Sequence, residues 1–526
     1  LDLGSGTFIS SDNNSMLDLQ AATTLSSSAP VSFEDVHFNG NVLTLGSAST
    51  HLKVNDNLTL SGIALETGAG SLTLSGALAL TDNASLNSSG GTITLKSGGT
   101  STGSVVSLPG TTLVLENPLS LTGATLKTNG TTFTTNANAL TLSGGILEVA
   151  GVQDLGGVFP DNSTTLRLAA NSTIDDNASL SVGTLDLANF ALTLDDNMSR
   201  LSVAQPVTLD ATGEKIVTGN ADLSLNGGIS ATAGTLSSTG GTLSLPGGAT
   251  LASGASFSTS NTTLNLGGSL AVAGTWSGSN TTSISLTTDN ASLSSTVELS
   301  LASLQTNGHD FELASATTDL TIENAFALSG GETLSTQGAD LIFESSADIS
   351  PGSTLDASGG GKLEFQQGGT DNGTINARNA TFKIGSAYAV PGTLKTNGST
   401  TWTLGSVNLD LSGGTLELGG TVGLDKVLTD NLTTFKLGED ATVTRNQGFT
   451  LGGLDLDNST FTLGSATTDL TVELGDSGYW ELIAKQADSD HFTDGTHELF
   501  DSNAKSTFLE NENDPSQSTF MSIGNL

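Results

Sequence analysis

The sequence predicts an all-β chain wound as a parallel β-helix, a β-solenoid, and three observations predict it. The first is strict alternation, as in Leu43-Thr44-Leu45, Leu58-Thr59-Leu60, Leu72-Thr73-Leu74, Leu140-Thr141-Leu142 and Leu223-Ser224-Leu225. A period of two puts Leu, Ile, Val and Phe on one side of an extended strand and Thr, Ser or Asp on the other. The second is brevity: each run lasts three to five residues before Gly-Gly, Asn-Gly, Asp-Asn or Ser-Gly ends it, and helical spacing is almost absent. A sandwich needs longer strands and hairpin loops. Short strands repeated for hundreds of residues suit coils of about 20–22 residues that stack and share backbone hydrogen bonds, about 24–26 of them over this length.

The third observation is a long repeat. Leu45-Gly-Ser-Ala-Ser-Thr-His-Leu52-Lys-Val54 is echoed 268 positions on by Leu313-Ala-Ser-Ala-Thr-Thr-Asp-Leu320-Thr-Ile322, and Leu126-Lys-Thr-Asn-Gly130 by Leu394-Lys-Thr-Asn-Gly398 at the same spacing. Asp161-Asn-Ser-Thr-Thr-Leu-Arg-Leu168 returns 269 positions on as Asp430-Asn-Leu-Thr-Thr-Phe-Lys-Leu437, and Leu185-Asp-Leu187 as Leu454-Asp-Leu456. Four anchors in one phase indicate tandem duplication, with repeat units over 1–268 and 269–477. From about Gly478 the rhythm stops, leaving a short non-repetitive C-terminal segment, 478–526.

Inward Leu, Ile, Val and Phe are expected to stack in columns, each contributing roughly 1.5–3 kcal/mol when fully buried. Phe133, Phe311, Phe435, Phe449 and Phe461 are expected in short aromatic stacks. Gly, Asn and Asp take corners that need positive φ, and Thr-Asn-Gly at 128–130, 306–308 and 396–398 reads as one corner reused. In the C-terminal segment, Tyr479 to Ala487 is expected to form helical turns. The segment reads as a terminal cap or as an assembly surface carrying Tyr479, Trp480, Phe492, Phe500, Phe508 and Phe520.

Composition excludes several functions. The formal net charge is −38, from 53 acidic and 15 basic residues. It repels phosphate backbones and anionic lipid, so no nucleic-acid partner is expected. With no Cys there is no disulfide framework or thiolate metal site. No apolar run is long enough for a transmembrane helix. The chain opens Leu1-Asp-Leu-Gly, which reads as a mature or excised product.

Candidate chemistry is sparse. Gly99-Thr-Ser101-Thr-Gly103 fits a nucleophile-elbow pattern without its strand–turn–helix context. The five histidines do not cluster. Asp175-Asp176 and Asp195-Asp196 are the best carboxylate pairs, read as solvated corner residues. Weak Ca²⁺ binding there is the alternative, since hard oxygen ligands are plentiful. Catalysis is a further alternative, and it requires a turn to aim both carboxylates at one sugar. No cofactor is expected. Trp276, Trp402 and Trp480 read as packing residues rather than sugar platforms.

The strings Leu411-Ser-Gly-Gly-Thr-Leu-Glu-Leu-Gly-Gly420, Ser143-Gly-Gly-Ile-Leu-Glu-Val-Ala-Gly151 and Gly240-Gly-Thr-Leu-Ser-Leu-Pro-Gly-Gly248 resemble secreted repetitive bacterial surface proteins, namely autotransporter passengers and filamentous-haemagglutinin-like exoproteins. The resemblance implies a right-handed parallel β-helix, export to the cell surface, and a role in adhesion or matrix building. The combined expectation is a non-enzymatic extracellular structural protein, a rigid acidic rod that self-associates head to tail into a fibre, sheath or matrix. Divalent cations would bridge such rods. An adhesin stalk presenting a tip to surfaces or host glycans is the alternative; a polysaccharide-processing enzyme or phage tailspike is the alternative of another class.

Overall fold

In the computed structural model the described residues are 8–9, 15–175, 179–195, 200–465, 468–473 and 481–484. They form an all-β solenoid of about 22 turns. The expectation of 24–26 counted the whole chain, whereas the parallel ladder among the described residues ends at Glu473. Two compact units divide the chain, Leu1–Thr296 and Val297–Leu526.

In the first unit each turn supplies three short strands. His51–Val54, Leu58–Ser61 and Ala64–Gly68 lie on three successive faces, and Ser71–Leu74, Leu78–Thr81 and Ser85–Ser88 stack on them in the same order. The pairing is parallel and in register. On the first face Val31, Leu52, Leu72, Ile93 and Leu113 occupy one column, each at most 1% exposed, with the half-buried Phe133 after them. Steps of 20 or 21 residues keep this column inside, because a slip of one would turn the whole set outward.

The same three-face order recurs in the second unit, where aromatics thicken the interior. Phe343 packs between Phe326 and Phe365, at ring-centroid distances of 5.0 and 5.2 Å. Phe365 also meets Tyr388 at 4.4 Å, and Phe382 meets Trp402 edge-on at 5.8 Å. Of the expected aromatic stacks, only Phe435–Phe449 forms (5.6 Å). Phe133, Phe311 and Phe461 have aliphatic residues in register with them, Leu113, Leu334 and Ala441.

Two pairs of long strands mark equivalent places in the units. Ile146–Asp154 pairs with Thr165–Asp175, with a register shift between Val149 and Gly151. Thr415–Gly423 pairs with Thr434–Thr444, with a shift between Leu418 and Gly420. The spacing is 269 in each case. Gly151 and Gly420 have φ of 69° and 65°. At Gly420 a Cβ would also lie 2.3 Å from Gly398 Cα, so only glycine fits the bulge.

Corners follow the expected chemistry in part. Asp82 and Asn83 of Asp-Asn-Ala-Ser, and Asn290 of its later copy, have positive φ. The Thr-Asn-Gly corners share only their buried threonine. Thr128 and Thr396 donate to the carbonyls of Glu148 and Glu417 one rung on, whereas Thr306 donates to the Glu332 carboxylate. The helical turns expected over 479–487 are not formed where that stretch is described. Glu481–Ala484 is a strand, antiparallel to Leu470–Glu473. A strand satisfies the backbone groups along the open edge of that last rung, which a helix leaves unpaired.

Candidate functional surfaces

Outward-facing residues of the third face carry a charge ladder. Lys127, Glu148, Arg167 and Asp186 stand in register on successive rungs. Lys127 Nζ lies 3.5 Å from Glu148 Oε1, and Arg167 Nε donates to Asp186 Oδ2 at 3.0 Å. In the second unit Lys395, Glu417, Lys436 and Asp455 form the same sequence of signs. There Lys436 Nζ lies 3.7 Å from Asp455 Oδ2, and Arg378 reaches across to Glu417. A second cluster joins Glu364 to Lys383 Nζ at 2.7 Å and to Lys362 Nζ at 3.3 Å. Burial opposes ionisation of Glu364, but these two lysines outweigh it and hold its carboxyl below the usual range. In a chain with so few cations, this placement sets a cation between the carboxylates of these columns.

Duplicated corners hold a second device. Asp161 accepts from Ser143 Oγ at 2.7 Å and from Ser163 Oγ and N at 2.6 and 2.9 Å, which holds its carboxyl well below the usual range. Asp430 accepts from Gly413 N at 3.0 Å, Thr433 Oγ1 at 2.8 Å and Leu432 N at 3.1 Å. Slight burial opposes ionisation there, but these donors lower its carboxyl too. Thr164 and Thr433 each also lie in bonding distance of a carbonyl on the preceding rung, Leu142 and Leu411.

One interior acid stands apart. Asp371 is 0% exposed; its Oδ1 accepts from Gly373 N at 2.8 Å and its buried Oδ2 has no partner. Burial pushes its carboxyl up to about 7. Tyr388, also buried, donates to Ala347 O at 3.1 Å. Burial, then the charges of Asp371 and Asp348, push the Tyr388 phenol well above its ordinary value.

The residues singled out from the sequence do not converge. Asp175 is exposed at the end of its strand, in register with Asp154, and Asp195 is exposed with its N–H on Ile174 O. Asp176 and Asp196 lie outside the described residues, as do Tyr479, Trp480, Phe492, Phe500, Phe508 and Phe520. Among the described residues no three His, Asp or Glu side chains are grouped to hold a metal ion. Ser101 is 1% exposed in a strand and points inward, which explains the elbow match as a chance string. Trp276 is buried against Phe257 and donates to Thr259 Oγ1 at 2.8 Å.

Among the described residues exposed apolar side chains are few, and two share an equivalent place. Phe159 and Leu428, 269 apart, follow Thr141 and Asp410 in their outward columns and are 52% and 43% exposed. No described helix is long and apolar enough to cross a membrane. Comparison with family models, curated proteins and solved structures returned no match.

Proposed function

We propose that the protein is a non-enzymatic extracellular structural protein, an acidic β-solenoid whose copies associate head to tail into a cell-surface fibre, sheath or matrix. The observation that carries the reading is the recurrence of one bulge, one charge ladder and one Asp–Thr corner at a spacing of 268 or 269. Catalysis needs a site once, whereas scaffolding gains from every added copy of a rung set. Each unit therefore carries the same lateral face, and a heterologous contact between copies propagates rather than closes. Among the described residues, the antiparallel strand Glu481–Ala484 covers the edge of the face that carries Leu470–Glu473. With a net charge of −38, lateral clumping is opposed until salt or divalent cations screen it.

Negative-stain microscopy with sedimentation velocity, in low salt and with added Ca²⁺ or Mg²⁺, tests the reading. Filaments whose mass grows with concentration are expected. Monomeric particles at every concentration and ionic condition overturn it.

A further inference from the structure

On the second face of the first unit the ladder is interrupted near its start. Asp35–His37 pairs with Met16–Asp18 below it, but not with Leu58–Ser61, the next rung on that face. From Leu58–Ser61 onward the ladder is unbroken through Val158–Pro160. The break opens a groove of about 430 Å³, within the usual range for small-ligand sites. Val36 and Phe38 are buried beneath it, while Asp35, His37, Asn39, Asn57, Thr59 and Ser61 line it.

The lining is partly preorganised. His37 Nε2 lies 2.7 Å from Asp35 Oδ2, which fixes the ring. Asn57 Oδ1 accepts from Ala77 N at 2.7 Å, and Ser61 donates to Asp82. The imidazole, the Asn57 amide and the Thr59 hydroxyl keep hydrogen-bonding capacity toward the groove. An added peptide strand suits this edge poorly, because Val36 N is already taken by Asp35 Oδ1 at 2.7 Å. Ligand recognition then falls to side chains that donate and accept at close spacing, in a lining that is mostly polar. Asp35 in the lining, with Asp18 and Asp82 hydrogen-bonded to its Asn39 and Ser61, repels anions.

We propose that this groove binds a neutral or amino sugar, free or at the end of a glycan, and rejects acidic sugars. The proposal goes beyond the structural reading and stands whether or not the chain assembles.

Saturation-transfer NMR on the full chain, with glucose, glucosamine and glucuronate as probes, tests it. Glucose and glucosamine should receive saturation and glucuronate should not. Thr59→Trp fills the groove from an exposed outward position and should cut the transfer about fivefold or more. Thr141→Trp, on the same face where the ladder is closed, should leave it unchanged. Absence of transfer to every sugar, equal transfer to glucuronate, insensitivity to Thr59→Trp, or stronger transfer to an extended Ser/Thr peptide would overturn the proposal.

Discussion

Arg167 donates through Nε to Asp186 on the following rung at 3.0 Å, and Glu148 stands in register with Arg167 on the preceding one. The cation thus separates two carboxylates that would otherwise face each other's side of the same column. Lys436 stands between Glu417 and Asp455 in the same way.

Reversing the sign of that cation makes three carboxylates consecutive. Arg167→Glu is expected to destabilise the first unit by roughly 1 kcal/mol, since exposed cross-strand pairs are individually weak. Urea unfolding should show the loss at low salt and a smaller loss at high salt. Arg167→Lys should stay close to the parent.

Phe365 is completely buried between Phe343 and Tyr388. Phe365→Ala should cost about 3–5 kcal/mol through the lost transfer energy and the cavity left behind. Phe159→Ala, at a half-exposed outward position, should change stability by no more than about 0.5 kcal/mol. Thermal unfolding followed by near-ultraviolet circular dichroism separates the two.

Asp371 gives the stability a pH dependence of defined sign. Its folded carboxyl holds its proton to about 7, whereas the unfolded chain releases it near 3.8. Its contribution is therefore full below about pH 4, falls as pH rises to about 7 and is level above, by roughly 4 kcal/mol at most. Asp161, Asp430 and Glu364 act in the opposite sense, because their lowered carboxyls lose stability only as pH falls below their ordinary range. The windows are separate. In denaturation midpoints measured from pH 4 to pH 8, Asp371→Asn should flatten the decline seen in the parent.

Thr433 is buried and lies within bonding distance of both Leu411 O and Asp430 Oδ1. Thr433→Val keeps the shape and removes the hydroxyl, which should cost about 1–2 kcal/mol. Thr164→Val should cost a similar amount at the equivalent corner, as read from chemical unfolding of each variant.

The solenoid was legible because one-dimensional alternation states which residues face inward, as at Leu72 and Leu74, and parallel stacking needs little else. The recurrence of Lys127 as Lys395 and of Arg167 as Lys436 was visible in the matched strings, but the charge ladder was not. Its meaning depends on which rung lies above which, a register that alternation alone does not fix. Asp371 follows a Gly-Gly-Thr string like an ordinary corner acid, and only the winding of the chain turns it inward. The groove at Asp35 and His37 arises from a pairing that fails, for which the local sequence carries no mark. The stretch Glu481–Ala484 has helix-forming residues, yet the open edge beside it decides its pairing.

Cysteine pairs in this cysteine-free chain test the stacking most directly. In-register parallel neighbours lie about 4.8 Å apart, within disulfide reach. Glu148→Cys with Arg167→Cys, and Glu417→Cys with Lys436→Cys, should both oxidise to intramolecular disulfides detectable by mass spectrometry. Glu148→Cys with Thr165→Cys, displaced by two residues along the strand, should stay reduced. Cross-linking of the displaced pair in preference to the registered ones would contradict the account.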